Sequence, residues 1–180
     1  MRQWIPISTS PKGRLVLAAL AAFGARPFDQ VAVADLARNA DVTTGAIYHH
    51  FGSKLGLYAF VRLDVERRLL DRIEGALAAA ADGNVRAAVM PALLVGFDFA
   101  VQAGYLHLLD APPTTAEHDG LVDTWRAALP TASPVLADVL AAALRAALRA
   151  VGTGADPAEA RRALRTLAVG PVVDQPATDS

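Results

Sequence analysis

The chain contains no cysteine, two methionines, two tryptophans and only four isoleucines, and aromatic residues make up 6% of its 180 positions. Without cysteine there is no disulfide framework, no thiolate zinc site and no cysteine nucleophile, in keeping with a reducing cytoplasm. Long apolar runs are missing too. The longest candidate, 87–97, is stopped by Asp98, short of the roughly 18 residues that would argue for a membrane helix. The apolar stretch 15–22 behind Lys12 and Arg14 loosely resembles a secretory signal. It runs straight into another patterned segment with no polar cleavage region, so a cytoplasmic protein is expected. Enzyme signatures are also lacking: no Gly-x-Ser-x-Gly, no phosphate-binding Gly-rich loop, no His-Glu-x-x-His, and five serines that mostly sit at caps or ends. Catalysis, a cofactor and a metal are not expected.

What remains is 53% hydrophobic, with 39 Ala and 23 Leu against 17 Val, the mixture of a soluble helical protein. Charge is balanced overall at −1, which argues against a wholesale polyanion binder. Its distribution is uneven: residues 1–60 carry six basic and three acidic side chains, so the first third is basic and the rest acidic.

Helix punctuation is legible throughout. Ser10-Pro11 predicts a cap and first turn for a helix over 11–25, ended by Arg26-Pro27. Short helices are expected over 33–39 and from a Thr43 cap through His50, with Ala40-Asp41-Val42 as the turn between them and Phe51-Gly52 as the stop. Ser53 caps a long helix to about residue 81. Further helices are expected over 85–103 (kinked at Pro91 and stopped by Gly104), 105–110 as a short helix or turn, 116–129, 134–151 and 157–169. The last opens on Asp156-Pro157-Ala158-Glu159, a capping-box variant, and the tail 172–180 is expected to fray.

Two short helices on a tight turn, the second rich in small and polar residues, let a helix enter the DNA major groove. The face toward the bases would present Thr43, Thr44, Gly45, Tyr48 and His49, while Ile47 and Phe51 hold the helix against Leu36 and the first helix. Gly45 permits close approach of the backbone to a phosphate, and the free N–H groups at the Thr43 end can bind one. His49-His50 is a poor metal site, since neighbours on a helix diverge by about 100° and no third ligand is evident.

The run from Val33 to Lys54, with its Gly-x-Ile-Tyr-His-His-Phe-x-Ser-Lys core, resembles the DNA-binding signature of the TetR family of bacterial transcriptional regulators. The resemblance covers about 50 residues; beyond it only the helical character, the length and the stretch Leu108 to Pro112 are similar. It implies an all-α fold: an N-terminal three-helix helix-turn-helix DNA-binding domain over 8–54, with the motif at about 33–51, and a C-terminal helical ligand-binding and dimerisation domain over 55–171. It also implies a homodimer on a palindromic double-stranded operator, acting as a repressor and released by a small-molecule effector. Carried over, Thr43, Thr44, Gly45, Tyr48 and His49 would meet bases or backbone, and Tyr48, His50, Lys54, Lys12 and Arg14 phosphates. Asp41 replaces the family's turn glycine, Pro27 the glycine ending the first helix, Ala32 a capping hydroxyl, and Leu55-Gly56 the commoner acidic residue early in the fourth helix.

In the remainder, Met90, Phe97, Phe99, Tyr105, His107 and Trp125, with Asp98 and Arg126 as polar anchors, are candidates to wall an effector pocket, and equally candidates for ordinary core. An apolar or aromatic ligand would suit them. The stripe Leu136, Val139, Leu140, Leu144 and Leu148, joined by Ala160, Leu164 and Leu167, is a candidate dimer interface. The competing reading is a helical small-molecule-binding module that has lost specific DNA binding.

Overall fold

The computed structural model describes residues 9–79, 85–113, 118–130 and 132–167; the frayed tail expected over 172–180 lies outside them. Every regular element among the described residues is helical: α1 Pro11–Ala25, a single 3-10 turn Phe28–Gln30, α2 Val33–Asn39, α3 Thr44–Phe51, α4 Lys54–Ala78, α5 Val85–Gln102, α6 Leu106–Leu109, α7 Gly120–Ala128, α8 Pro134–Gly152 and α9 Pro157–Arg165. No helix among them is long and apolar enough to cross a membrane.

Three of the predicted caps act through their side chains, whereas Ser133 makes no side-chain cap bond and Asp156 bonds one residue short of the capping-box position. Ser10 Oγ accepts from Gly13 N at 3.0 Å, Ser53 Oγ from Gly56 N at 2.9 Å, and Asp156 Oδ1 from Ala158 N at 3.0 Å. The long helix ends at Ala78 rather than about 81, and two boundaries differ by four residues. The helix expected from 116 begins at Gly120, because Asp119 caps it through a bond from Leu121 N. The last helix ends at Arg165 rather than 169, where Thr166 turns its hydroxyl back onto the Ala163 carbonyl. Pro91 sits inside α5, which runs through it as one helix.

Helices α1 to α3 form an N-terminal head and α5 to α9 a body, and α4 belongs to both. Leu57, Val61, Val65, Leu69 and Ile73 form its buried stripe, at i, i+4, i+8, i+12 and i+16, packed successively on the head and on the body. The two parts share one apolar core, from Leu15, Leu36 and Ile47 at one end to Leu140, Leu144 and Leu164 at the other. Close approach decides one junction. A Cβ on Gly24 of α1 would collide with the carbonyl oxygen of Gly104, in the turn before α6, so only glycine lets the head seat on the body there.

Four charged residues are gathered where α4, α7 and α8 meet. Arg145 is 8% exposed and clasps Asp119 with both terminal nitrogens, at 2.6 and 2.7 Å. Arg62, also 8% exposed, donates to the carbonyls of Leu108 at 2.6 Å and Ala111 at 2.5 Å, holding the end of α6 against α4. Burial pushes the Glu66 carboxyl above the ordinary range; Arg62 and Arg145 pull it back in part and Asp119 adds to the rise. Burial also works on Asp119, but the Arg145 bond and charge outweigh it and hold its carboxyl below the ordinary range.

Opposite pH dependences follow. Asp119 contributes stability that is present above the ordinary carboxylate range and is lost as pH falls through its lowered value. Glu66, with a raised value, binds its proton more readily in the fold, so its contribution is present at low pH and lost as pH rises through that value. Glu66→Gln should therefore raise the Tm at neutral pH, with the gain shrinking toward pH 4. Asp119→Ala should cost on the order of 3 kcal/mol at neutral pH, because it strands a buried guanidinium and uncaps α7. Thermal melts across pH check both.

Candidate nucleic-acid interface

The head turns on a short segment. Asp41, in the α2–α3 turn, has φ 51°, the left-handed region that glycine usually fills and that Asp tolerates better than most residues. The turn closes through Val42 N to Ala37 O at 3.0 Å and Asp41 N to Arg38 O at 3.1 Å. From α1, Arg14 reaches across: its Nε donates to the Ala40 carbonyl at 2.8 Å and its terminal nitrogens to the carbonyls of Asp41 at 3.1 Å and Thr9 at 2.9 Å. Arg14, expected at a phosphate, thus has two of its N–H groups engaged in bracing the turn and a third on the Thr9 carbonyl ahead of α1. The family's missing glycine is accommodated by Asp41 together with this brace.

Helix α3 sorts its residues by face as the sequence indicated. Ile47 is fully buried and Ala46 half-buried, whereas Thr43, Thr44, Gly45, Tyr48, His49 and His50 are exposed. Tyr48 is 55% exposed. Thr43 caps α3 through its main chain, without a side-chain bond to the first turn, and Ala32 does the same for α2. His49 and His50 lie edge to face with ring centres 4.9 Å apart, and among the described residues no group of three or more His, Cys, Asp or Glu is placed to hold a metal. Gly56 owes its place to the turn after α3: a Cβ there would collide with the Phe51 carbonyl oxygen. An outward, polar, slender helix held by buried Ile47 and a braced turn can enter a major groove and reach base edges.

Three other cations of the head also have partners. Lys54 Nζ lies 4.0 Å from the centre of the Phe28 ring, Lys12 Nζ 5.5 and 5.7 Å from those of Phe60 and Phe51, and Arg38 pairs with Asp35 at 2.8 Å.

The residues expected to wall a pocket are dispersed. Phe97 and Trp125 are core, and Met90 packs half-buried against it. Asp98 binds Arg161 of α9 through both oxygens, at 2.9 and 3.0 Å, and that pairing raises the Arg161 pKa. Phe99 lies under Arg72 at 4.0 Å and edge-on to Tyr105. His107 meets Asp110 at 3.2 Å with its ring against Gly152, and Arg126 is exposed and paired with Asp123. Asp98 and Phe99 share a hollow, a shallow groove of about 530 Å³ with Arg72, Val95, Gln102 and Ala103.

The dimer stripe divides similarly. Leu140, Leu144, Leu148, Ala160 and Leu164 are buried in the chain's own core, and Leu136 is half-buried against it, because the leucine side of α8 faces α5 and α7. Val139 and Leu167 are exposed, and with Val135, Ala142 and Ala146 they form the outer apolar face. Sequence reading passed over the Arg62, Glu66, Asp119 and Arg145 cluster. Its signal was two arginines at positions of the apolar stripes of α4 and α8.

A three-helix head with an outward recognition helix, joined by a shared long helix to a helical body, defines a helix-turn-helix DNA-binding protein. Residues 15–60 match the bacterial regulatory proteins of the tetR family, so this segment of the chain is similar to the DNA-binding part of those regulators. Among solved structures, it is similar to a TetR-family regulator from Streptomyces coelicolor A3, with 20% identity over 91% of this chain and 94% of that one and a TM-score of 0.48. No curated protein matches it.

If Arg14 is a brace, Arg14→Ala should lower the stability of the head by about 2 kcal/mol, the scale of lost charge-assisted bonds, whereas Tyr48→Ala, on the exposed face, should change stability little and weaken duplex binding. Thermal melting beside fluorescence-anisotropy titration separates the two.

Proposed function

We propose that the protein is an effector-responsive repressor that binds a palindromic operator as a homodimer. The observation that carries this reading is the exposed face Thr43, Thr44, Gly45, Tyr48 and His49 on a recognition helix whose turn is rigidly braced. One such helix covers only a few base pairs, so useful specificity calls for two, on half-sites about 34–36 Å apart.

The outer face of α8 and α9 supports pairing with a second copy. Val135 is 63% exposed and Val139 49%, and a neighbouring groove of about 320 Å³ is lined entirely by alanine and leucine, from Ala143 to Leu167. Helices from each copy could close there as a four-helix interface.

For the effector, the body offers buried donors that have no hydrogen-bond partner within the protein: Arg62 Nε, Arg145 Nε and Trp125 Nε1. Leaving such groups unmatched is costly, which favours a small, largely apolar effector that also carries acceptor atoms. Binding would act on the head through α4, and can do so only if the effector prefers one spacing of the two heads.

Selection of sequences from a random duplex library by the purified protein tests the central claim. Enrichment of an inverted repeat bound by two copies is expected. No enrichment by a folded, dimeric protein would favour the alternative, a binding module without specific DNA recognition. Ala146→Arg should yield monomers in size-exclusion chromatography and weaken operator binding by roughly a hundredfold through loss of bivalency.

A further inference from the structure

The head is sparing with positive charge. Of its described cations, Arg14 is spent on the turn, Arg38 pairs with Asp35 at the surface and Arg26 stands at the far end of α1, which leaves Lys12 and Lys54 as the two that a helix start presents beside the recognition unit. Both lysines stand in the first turn of a helix, α1 and α4 respectively, where the macrodipole disfavours a cation, and neither first turn contains an acidic residue to offset it. What each has instead is an aromatic face. Lys54 Nζ is 4.0 Å from the Phe28 ring centre, close enough for strong attraction to its negative face. Phe28 is itself fixed, stacked on Phe23 at 5.8 Å and edge-on to Tyr58 at 5.1 Å. Lys12 Nζ lies between Phe60 and Phe51, whose rings meet edge to face at 5.5 Å.

An ammonium has three donors and no acceptor, so a ring beneath it leaves donors for an oxygen on its far side. A lysine stem is otherwise among the costliest side chains to immobilise. A ring seat settles that cost on folding, before DNA arrives. We propose that Phe28 is a positioning residue for DNA binding, holding the Lys54 ammonium ready for a backbone phosphate, with Phe60 and Phe51 serving Lys12 in the same way. The proposal rests on the head being a DNA-binding unit.

The test uses the full-length protein and a labelled mixed-sequence duplex of about 30 base pairs, long enough for two half-sites, titrated at several salt concentrations. Lys54→Met should weaken binding and reduce the slope of log K against log salt by about one. Phe28→Leu keeps the bulk and removes the ring; it should weaken binding about two- to fivefold while leaving that slope unchanged, since the contact still forms from a less ordered side chain. Phe28→Tyr, which restores a ring, should bind like the parent. In a Lys54→Met background, Phe28→Leu should have no further effect. Melting curves confirm that each variant is folded at the assay temperature.

An equal loss from Phe28→Leu with and without Lys54 would make the ring a packing residue and overturn the proposal. Tighter binding by Phe28→Leu would show that the ring withholds the lysine, and would overturn it too. Failure of the parent protein to bind any duplex at low salt would instead remove the DNA-binding reading itself, an outcome distinct from both.

Discussion

Everything in this molecule depends on α4 being buried along its whole length by two different partners. Its 25 residues rise about 37 Å, so its first turns pack on α1 and α3 while its later turns pack on α5 and α7. A helix with one continuous buried stripe from Leu57 to Ile73 cannot bend freely between the two, because any bend opens a gap in a close-packed core. Head and body are coupled by packing rather than by a flexible linker. The Gly24 and Gly104 approach adds a second point of attachment, and Arg62, binding the end of α6 to α4, adds a third. A change in the body that shifts α4 or α6 is therefore handed to the head as a rigid displacement.

That rigidity gives the buried charges at the α4, α7 and α8 junction their significance. Hydrophobic residues in place of both Arg145 and Asp119 would pack there with less desolvation, so the ion pair is no simple device for stability. What it does provide is directional: a bidentate clasp specifies one arrangement of α7 on α8, and Glu66, disfavoured in its charged form, sits beside it on α4. The place where the body is most finely balanced is the place where it grips the helix that leads to the head.

Much of this was legible in the sequence, and the reasons differ by element. Caps and stops were readable because they are local: Ser10, Ser53 and Asp156 act on N–H groups two or three residues away. The outward face of α3 was readable because burial of Ile47 fixes the orientation of an eight-residue helix. Long-range chemistry was not. Nothing in the sequence near Arg14 says that its partners are carbonyls 26 and 27 residues away, and Asp98 finds Arg161 across 63 residues. On α8 the period of 3.6 located an apolar stripe, yet with alanine on nearly every other side, pattern alone did not say which edge faces the core and which the outside.

The departures from the family's pattern, taken together, describe a head stabilised by side-chain contacts in place of backbone freedom. Asp41 stands where glycine would relax the turn, and an arginine is drawn in to hold its carbonyl. Gly56 stands where an acid would favour the first turn of α4, since the Phe51 carbonyl leaves no room for a side chain. Asp41 forgoes a relaxed turn and Gly56 an acid that would favour the helix start, and each stands against a specific contact, from Arg14 and from the Phe51 carbonyl respectively. A head with few unengaged cations cannot rely on long-range attraction to hold DNA, so its contacts must come from well-placed groups at short range. Fixed geometry is what the braced turn, the buried Ile47 and the ring-seated lysines supply, and it is a natural counterpart to a body joined to the head through one rigid helix.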